Sequence, residues 1–587
     1  MLKRISKFLT RRVTVPFFGR LDVARAAFSK TERMLFGLFA GLLTASALAL
    51  VAQANNFFLV EVPRASGALT EGIIGTPRFV NPLLAASDAD RDLTALVYSG
   101  LLRATPEGAL IPDLAEIYSI SEDSRSYTFI IKPNAIFHDG APVTADDVIF
   151  TVQKAQDPLV KSVKRANWEG VTAEKVSERE VRLTLKRPYA PFLENTTIGI
   201  LPKHLWKNID TESFQFNPLN SEPVGAGPYR FIRVDENASR VPTAYTLAPF
   251  AEYALGAPYI SRITLRFYGS ESSLIDAFAR KEIESMGGIS PKEARALEEK
   301  GIRAERTPLP RVFGVFFNQN QSKVLADKTV RRALDAALDK NKLVEDVLGG
   351  YGAPIAGPIP EHDARATSAD TINTNDIEND FAKKAKEILE ADKWKKNDET
   401  SVMEKKYGTE MRALAFSLVT AATPELKKSA EFAATAWRAI GAQVELKFFD
   451  VSDLNQTVIR PRAYDALLFG EIVGRDLDLF AFWHSSQRND PGLNIALYTN
   501  IKADRLLEEA RIAQDKEKRD AALRAFSEEV AKDIPAVFLY SPDFIYILPD
   551  KVKDMPLGRL SVPHERFLNI HRAYINTEKV WSFFIKN

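Results

Sequence analysis

Residues 127–151 read YTFIIKPNAIFHDGAPVTADDVIFT, and they set a strand, a tight turn and a helix start end to end. Tyr127, Phe129 and Ile131 fall on one side of a two-residue repeat, the pattern of a half-buried strand. Asp139-Gly140 has the chemistry of a turn. Thr144 stands three residues before Asp147, the spacing of an N-cap with an acidic N3 partner, so a helix is expected to begin at residue 145.

The neighbouring segments continue in the same style. Upstream, residues 69–74 read as a strand that runs into TPRFVNPL (76–83), where two prolines and an asparagine enforce a loop. An amphipathic helix is expected over 92–102, ending VYSGLL, and IPDLA (111–115) leads into the next strand. Downstream, WEGV (168–171), an alternating strand over 181–185, YAPF (189–192) and ILPKHL (200–205) lead to PVGAGPY (223–229). Gly225 and Gly227 permit torsions closed to other residues, so a sharp turn is expected there. No Lys-Ser or Lys-Thr follows them and no GxGxxG spacing exists, which argues against a nucleotide loop.

The second half carries an apolar strand, RVFGVFFNQN (311–320). Residues 411–419, a helix over 425–440 and a strand over 443–449 form a strand-helix-strand unit suited to a parallel sheet, with Gly441 as the helix stop. A buried strand over 464–470, a helix over 504–531, a strand over 537–540 and a final segment at 544–547 follow. Residues 361–380 are polar and are expected to form an exposed loop, as is the charge-rich stretch 395–408.

A chain of 587 residues exceeds one ordinary core, so two or three compact units are expected. Residues 1–33 hold nine basic residues against Asp22 and Glu32; of totals of 78 and 77, the remainder keeps 69 basic and 75 acidic. No broad basic footprint is left for nucleic acid. MLFGLFAGLLTASALALV (34–51) is without charge, and eighteen helical residues span ~27 Å against a hydrocarbon core of about 30 Å. Residues 34–54 therefore read as a transmembrane anchor or signal segment, with 1–33 as a basic cytoplasmic leader and the rest outside the cytoplasmic membrane, in the periplasm or at the cell surface. Ala52-Gln53-Ala54 has small-x-small cleavage spacing, but the leader is longer than a usual signal n-region, which favours a retained anchor. Residues 55–66 read as an exit linker. The absence of cysteine excludes disulfides, thiolate metal sites, a cysteine nucleophile and a lipidated cysteine.

The order of the 127–151 stretch, the NPL loop, YSGLL, PDLAE and the later motifs resembles the family 5 extracytoplasmic solute-binding proteins of ABC importers, the oligopeptide- and dipeptide-binding group, over residues 67–575. The resemblance implies an α/β, two-lobed periplasmic-binding-protein-like fold of type II with an extra subdomain in the first lobe, plus an N-terminal transmembrane helix. Residues 67–110 with 222–306 and 541–575 would form lobe I, 111–221 its extra subdomain, and 307–540 lobe II. It also implies capture of a peptide between the lobes, delivery to ABC permease subunits, and no cofactor. A monomer is expected.

In GEIVGRDLDLFAFW (470–483) the segment resembles a family stretch that commonly reads Asp-Pro-Asp, whose first acid pairs with the peptide amino terminus. By position that acid is Asp476. Leu477 stands where the family has proline, so Asp478 remains the other candidate. A buried ammonium needs an opposite charge, which either carboxylate supplies. Tyr98, Phe316, Asn318, Trp483 and Asn494 are further candidate wall residues, with core packing as the alternative for each aromatic. A different solute on the same fold, such as a nickel complex hinted at by His484 or an oligosaccharide, is the second reading. An extracellular hydrolase is the third, although neither HExxH nor GxSxG occurs.

Overall fold

The computed structural model describes residues 28–360 and 378–584. It divides into two compact units, one from the N-terminal segment to Arg64 together with the chain from Asn576, the other from Ala65 to Ile575. Most of the basic leader and most of the 361–380 stretch lie outside the described residues.

The smaller unit holds the apolar helix Lys30–Phe58, which starts at a reciprocal Ser29–Glu32 capping box and buries none of its residues. By length and composition it is able to cross a membrane. The expected linker at 55–66 is instead the helix end followed by the strand Leu59–Arg64, which pairs antiparallel with Asn576–Trp581 in the register Leu59↔Trp581 to Arg64↔Asn576.

The larger unit is the two-lobed α/β fold expected. Its backbone is one mixed sheet in the order Gln443–Phe449, Ala415–Ala421, Ala466–Ile472, Arg311–Phe317, Ala536–Ile547, Ser285–Gly287, Ala68–Ile74, Arg262–Tyr268, Pro242–Pro249, Tyr229–Glu236. The two pieces expected at 537–540 and 544–547 are one strand of 12 residues, Ala536–Ile547. Its first half pairs with Arg311–Phe317 and its second with Ala304–Pro308, so a single strand serves both lobes. Pro542 hides this continuity in the sequence, since proline ordinarily marks a strand end.

Arg311–Phe317 shows how the second lobe packs. Val312 and Phe316 join one apolar core while Val315 and Phe317 join the other, the period-2 alternation of a strand covered on both faces. The strand-helix-strand unit is as expected, with Ala415–Ala421 and Gln443–Phe449 parallel around the helix Pro424–Ala439. Residues 395–408 are not a solvated loop throughout. Lys395–Lys396, Met403–Tyr407 and Glu410–Ala413 form a three-stranded sheet, anchored by buried Met403.

The first lobe has its own core, which includes the opening stretch. Tyr127, Phe129 and Ile131 are fully buried on the strand Ser126–Ile131. The Asp147 carboxylate accepts from the Thr144 N–H at 2.8 Å and the Thr144 hydroxyl at 2.7 Å, and starts the helix Ala145–Gln156. His138 faces the glycine segment: its N–H donates to the Gly225 carbonyl, its Nδ1 accepts from the Gly225 N–H at 3.3 Å and its Nε2 lies 3.0 Å from the Gly227 carbonyl. This pattern needs a neutral ring with the proton on Nε2, and burial lowers the His138 pKa to about 4.

Gly225 and Gly227 differ from expectation in their reason. Neither has a positive φ. A Cβ on Gly225 would come within 2.1 Å of the Val97 carbonyl oxygen, and the Gly227 N–H donates to that same carbonyl at 2.8 Å. This contact also ends the preceding helix, which runs Asp88–Val97 rather than 92–102. Beyond it, Leu101 N–H and Ser99 O bond to the 196–200 segment, so tertiary partners replace the helical ones. Buried Arg566 forks onto Glu71 and Asp92 at 2.6–2.9 Å, tying the C-terminal segment to the strand Ala68–Ile74 and that helix.

Candidate functional site

The strand Ala466–Ile472 ends at the lobe boundary, and the chain turns through residues 474–479 into the short helix Phe480–Trp483. Leu477, between the two acids, has φ +50°, a left-handed conformation unfavourable for a leucine. The turn directs the two carboxylates to different partners.

Asp478 is fully engaged. Arg511 Nε lies 3.1 Å from both its oxygens and Nη2 3.0 Å from Oδ2. The Tyr189 hydroxyl donates to Oδ2 at 2.9 Å. Arg511 also stacks over Phe480 at 4.1 Å and Tyr189 at 5.1 Å. It sits in the last turn of the helix Ile501–Ile512, and its carbonyl accepts the Ala190 N–H at 2.7 Å. The single helix expected over 504–531 is interrupted here, because Asp515 caps a second helix, Lys516–Asp533, and leaves that carbonyl free for the first lobe.

Asp476 makes no hydrogen bond or ion pair among the described residues. It lines a narrow cavity of about 10 Å³ with Pro191, Leu477, Phe480, Arg511 and Arg519. Desolvation raises its pKa above the ordinary aspartate value, opposed by Arg519 and Arg475 and reinforced by Asp478. The cavity therefore sets Asp476, a carboxyl without a direct partner, within electrostatic reach of Arg475 and Arg519.

Arg475 forms a second bridge, unanticipated from the sequence. Its Nε is 2.9 Å from Glu194 and its Nη2 2.7 Å from Glu565. Burial raises Glu194 to about 7, against the pull of Arg475 and with the push of Asp476 and Glu565. These residues are 90 to 371 positions apart in the chain, and no local pattern pairs them.

The remaining candidates are placed in cores. Trp483 is fully buried with Phe316 at 6.0 Å and Phe538 at 5.7 Å, so both candidate aromatics pack the second lobe and are not on the pocket wall. Asn494 is equally buried, donating to the Trp483, His484 and Tyr498 carbonyls and accepting the Tyr498 N–H. Asn318 lies past the far end of its strand, donating to the Arg462 carbonyl and accepting from Asn320 and Gln321. Tyr98 is buried at the helix end near Gly199 and Gly225, and its hydroxyl has no hydrogen-bond partner. His484 stacks on Phe480 at 4.0 Å and accepts the Ser486 N–H on Nδ1. Among the described residues, no group of three or more His, Cys, Asp and Glu is placed to hold a metal ion.

A further buried acid lies beside the site residues. Glu471 is 3% exposed at the end of the strand Ala466–Ile472, and neither carboxyl oxygen has a hydrogen-bond partner. Desolvation pushes its pKa well above the ordinary value, with the Trp483 indole as the polar group beside it. The sequence signal was a lone acid in the apolar run ALLFGEIV.

Residues 109–494 match the model of the bacterial extracellular solute-binding proteins, family 5 Middle. The oligopeptide-binding protein AppA of Bacillus subtilis (strain 168) is 26% identical over 497 residues, 84% of this chain and 89% of AppA. The structure of B. subtilis AppA in complex with a nonapeptide is similar with a TM-score of 0.66 and 25% identity, covering 88% of this chain and 100% of that one. NikZ from Campylobacter jejuni in complex with Ni(L-His) has the same TM-score of 0.66 at 24% identity, covering 87% of this chain and 100% of NikZ. A shared fold thus leaves the solute to be argued from the site.

Proposed function

This chain belongs to the bacterial extracellular solute-binding proteins of family 5, and from that premise we propose that it captures peptides by their charged amino terminus in the interlobe pocket and delivers them to an ABC permease. The observation that carries the reading is the contrast between the two acids: Asp478 is neutralised by Arg511, while Asp476 lines the pocket without a partner.

An ammonium group removed from water needs a fixed opposite charge, and one carboxylate serves the first residue of any peptide. The cavity beside Asp476 amounts to about 10 Å³, room for about one water, so the leading residue of a peptide would enter only as the lobes separate. Peptide main chain added along a strand edge would supply affinity independent of sequence. The nonapeptide held by AppA supports this class of solute. Members of the family bind solutes, so release of intact peptide is expected, with neither cleavage nor ATP consumption by this chain. The apolar helix would hold the binding unit, as a monomer, on the outer side of the cytoplasmic membrane.

Titration calorimetry with a free and an N-acetylated tripeptide tests the assignment. Asp476→Ala is expected to lose at least ~2 kcal/mol, roughly thirtyfold in affinity, for the free peptide and almost nothing for the acetylated one. Unchanged affinity for both peptides would remove Asp476 from the site. Mass spectrometry of ligand released by denaturing the purified protein separates peptides from other solutes.

A further inference from the structure

We infer that the outer end of the long apolar helix and the C-terminal strand form an aromatic collar that seats in the interfacial layer of a lipid bilayer and fixes the C-terminal segment at the membrane surface. The inference rests on the helix being a retained anchor. A helix of 29 residues extends ~43 Å, longer than a hydrocarbon core of about 30 Å and close to a bilayer with its headgroups. If Met34 marks the inner edge of that core, about twenty residues of helical rise bring the chain to the outer edge near Gln53. Asn55 to Phe58 then lie in the headgroup layer.

Four large aromatics meet at that depth. Phe58 lies 5.3 Å from Phe57, 6.2 Å from Trp581 and 5.2 Å from Phe583, and Trp581 is 5.8 Å from Phe583. Phe57 is 81% exposed, Phe583 64% and Trp581 42%, an apolar surface continuous with a helix that buries nothing. In water this patch would be a liability, whereas tryptophan and other aromatics with a polar edge are favoured at membrane interfaces. The cluster is held in place by structure. The Trp581 indole N–H donates to Asn55 Oδ1 at 2.9 Å, and the Leu59↔Trp581 pair opens the two-stranded ladder that joins the two ends of the chain. The Ala52-Gln53-Ala54 stretch lies within the continuous helix, directly before the residue that Trp581 binds.

Of the six tryptophans, Trp168, Trp206, Trp394, Trp437 and Trp483 are at most 2% exposed, so Trp581 alone reports on the surroundings of the protein. The full-length chain is reconstituted in phosphatidylcholine vesicles whose acyl chains carry bromine near the headgroup, and emission is compared with that in unbrominated vesicles. Partial quenching in the wild type that disappears in Trp581→Phe is the expected result. Equal quenching in the two proteins, or none in either while the chain floats with the vesicles, overturns the collar and leaves the anchor standing. A chain that does not float, with an amino terminus starting at Asn55, overturns the anchor and the collar together.

Discussion

Arg511 forks onto Asp478 across the turn of the second lobe, with its Nε at 3.1 Å from both oxygens and its own carbonyl bonded to Ala190 of the first. The pair therefore acts as a lobe contact, and under the proposed function Asp476 is the acid that would meet the ligand. Asp478→Asn should keep the shape of the turn but weaken the fork. At this partly exposed pair the expected loss is about 1–2 kcal/mol of stability, below the value for a fully buried charged hydrogen bond. Peptide affinity should fall by the same factor for free and acetylated peptides. Calorimetry that finds the loss confined to free peptides would exchange the roles of the two acids.

Glu194 links the pocket to pH. Its pKa of about 7 reflects burial between Arg475, Asp476 and Glu565. If the lobes separate, water reaches the carboxyl and its pKa falls toward the ordinary 4.5, so closure takes up a proton between those values. Closure, and with it peptide affinity, should strengthen as the pH falls from 8 to 6. The peptide ammonium contributes a slope of the same sign, so the comparison is with Glu194→Gln, which should flatten the profile by the share due to Glu194. Parallel profiles for the two proteins would show that Glu194 keeps its protonation state on opening.

The parts of the molecule legible in the sequence are those whose reason is local. The strand at 127–131, the turn at Asp139-Gly140 and the helix start at Thr144–Asp147 follow from alternation, turn chemistry and capping, and all three are present. The difference in partners between Asp476 and Asp478 was not local: Arg511 and Tyr189, which engage Asp478, are brought from opposite lobes. Arg475 with Glu194 and Glu565 was hidden for the same reason. Phe316 and Trp483 carried the composition of a ligand wall and proved to be packed on each other, since buried aromatic area serves a core equally well. The strand Asn576–Trp581 is polar along most of its length and exposed on both faces, so no alternation announced it.

Glu471 gives a stability prediction with a defined sign. The unfolded chain ionises it near 4.5, whereas the folded protein holds it protonated well above that value. Between those two values the native state binds more protons than the unfolded one, so this residue lowers stability progressively as the pH rises. Glu471→Gln removes the ionisation while keeping the shape. Melting curves at pH 5 and pH 8 should show the variant gaining on the wild type at the higher pH, and Glu471→Met should add about 1–3 kcal/mol by removing two unpartnered oxygens. A constant difference across that range would mean that Glu471 is ionised in the fold.

Gly225 and Gly140 test two different reasons for glycine. Gly140 has φ +88° with open space around its Cα, so Gly140→Ala meets only the left-handed penalty, about 1–2 kcal/mol. Gly225 has no positive φ, but a Cβ there would sit 2.1 Å from the Val97 carbonyl oxygen and 3.0 Å from the Tyr98 ring. Backbone, unlike a flexible side chain, has no cheap way to yield. The new methyl must break the Val97–Gly227 hydrogen bond or push the helix Asp88–Val97 off the glycine segment. It would also disturb the two bonds that His138 makes to Gly225, and with them the contact between the 127–151 stretch and the rest of the first lobe. Gly225→Ala is therefore expected to cost more than ~3 kcal/mol, beyond the usual range for a single substitution. Denaturant titrations of the two variants should rank Gly225→Ala well below Gly140→Ala. The reverse order would show that the Val97 carbonyl has room to move and that the glycine at 225 is not there for close approach.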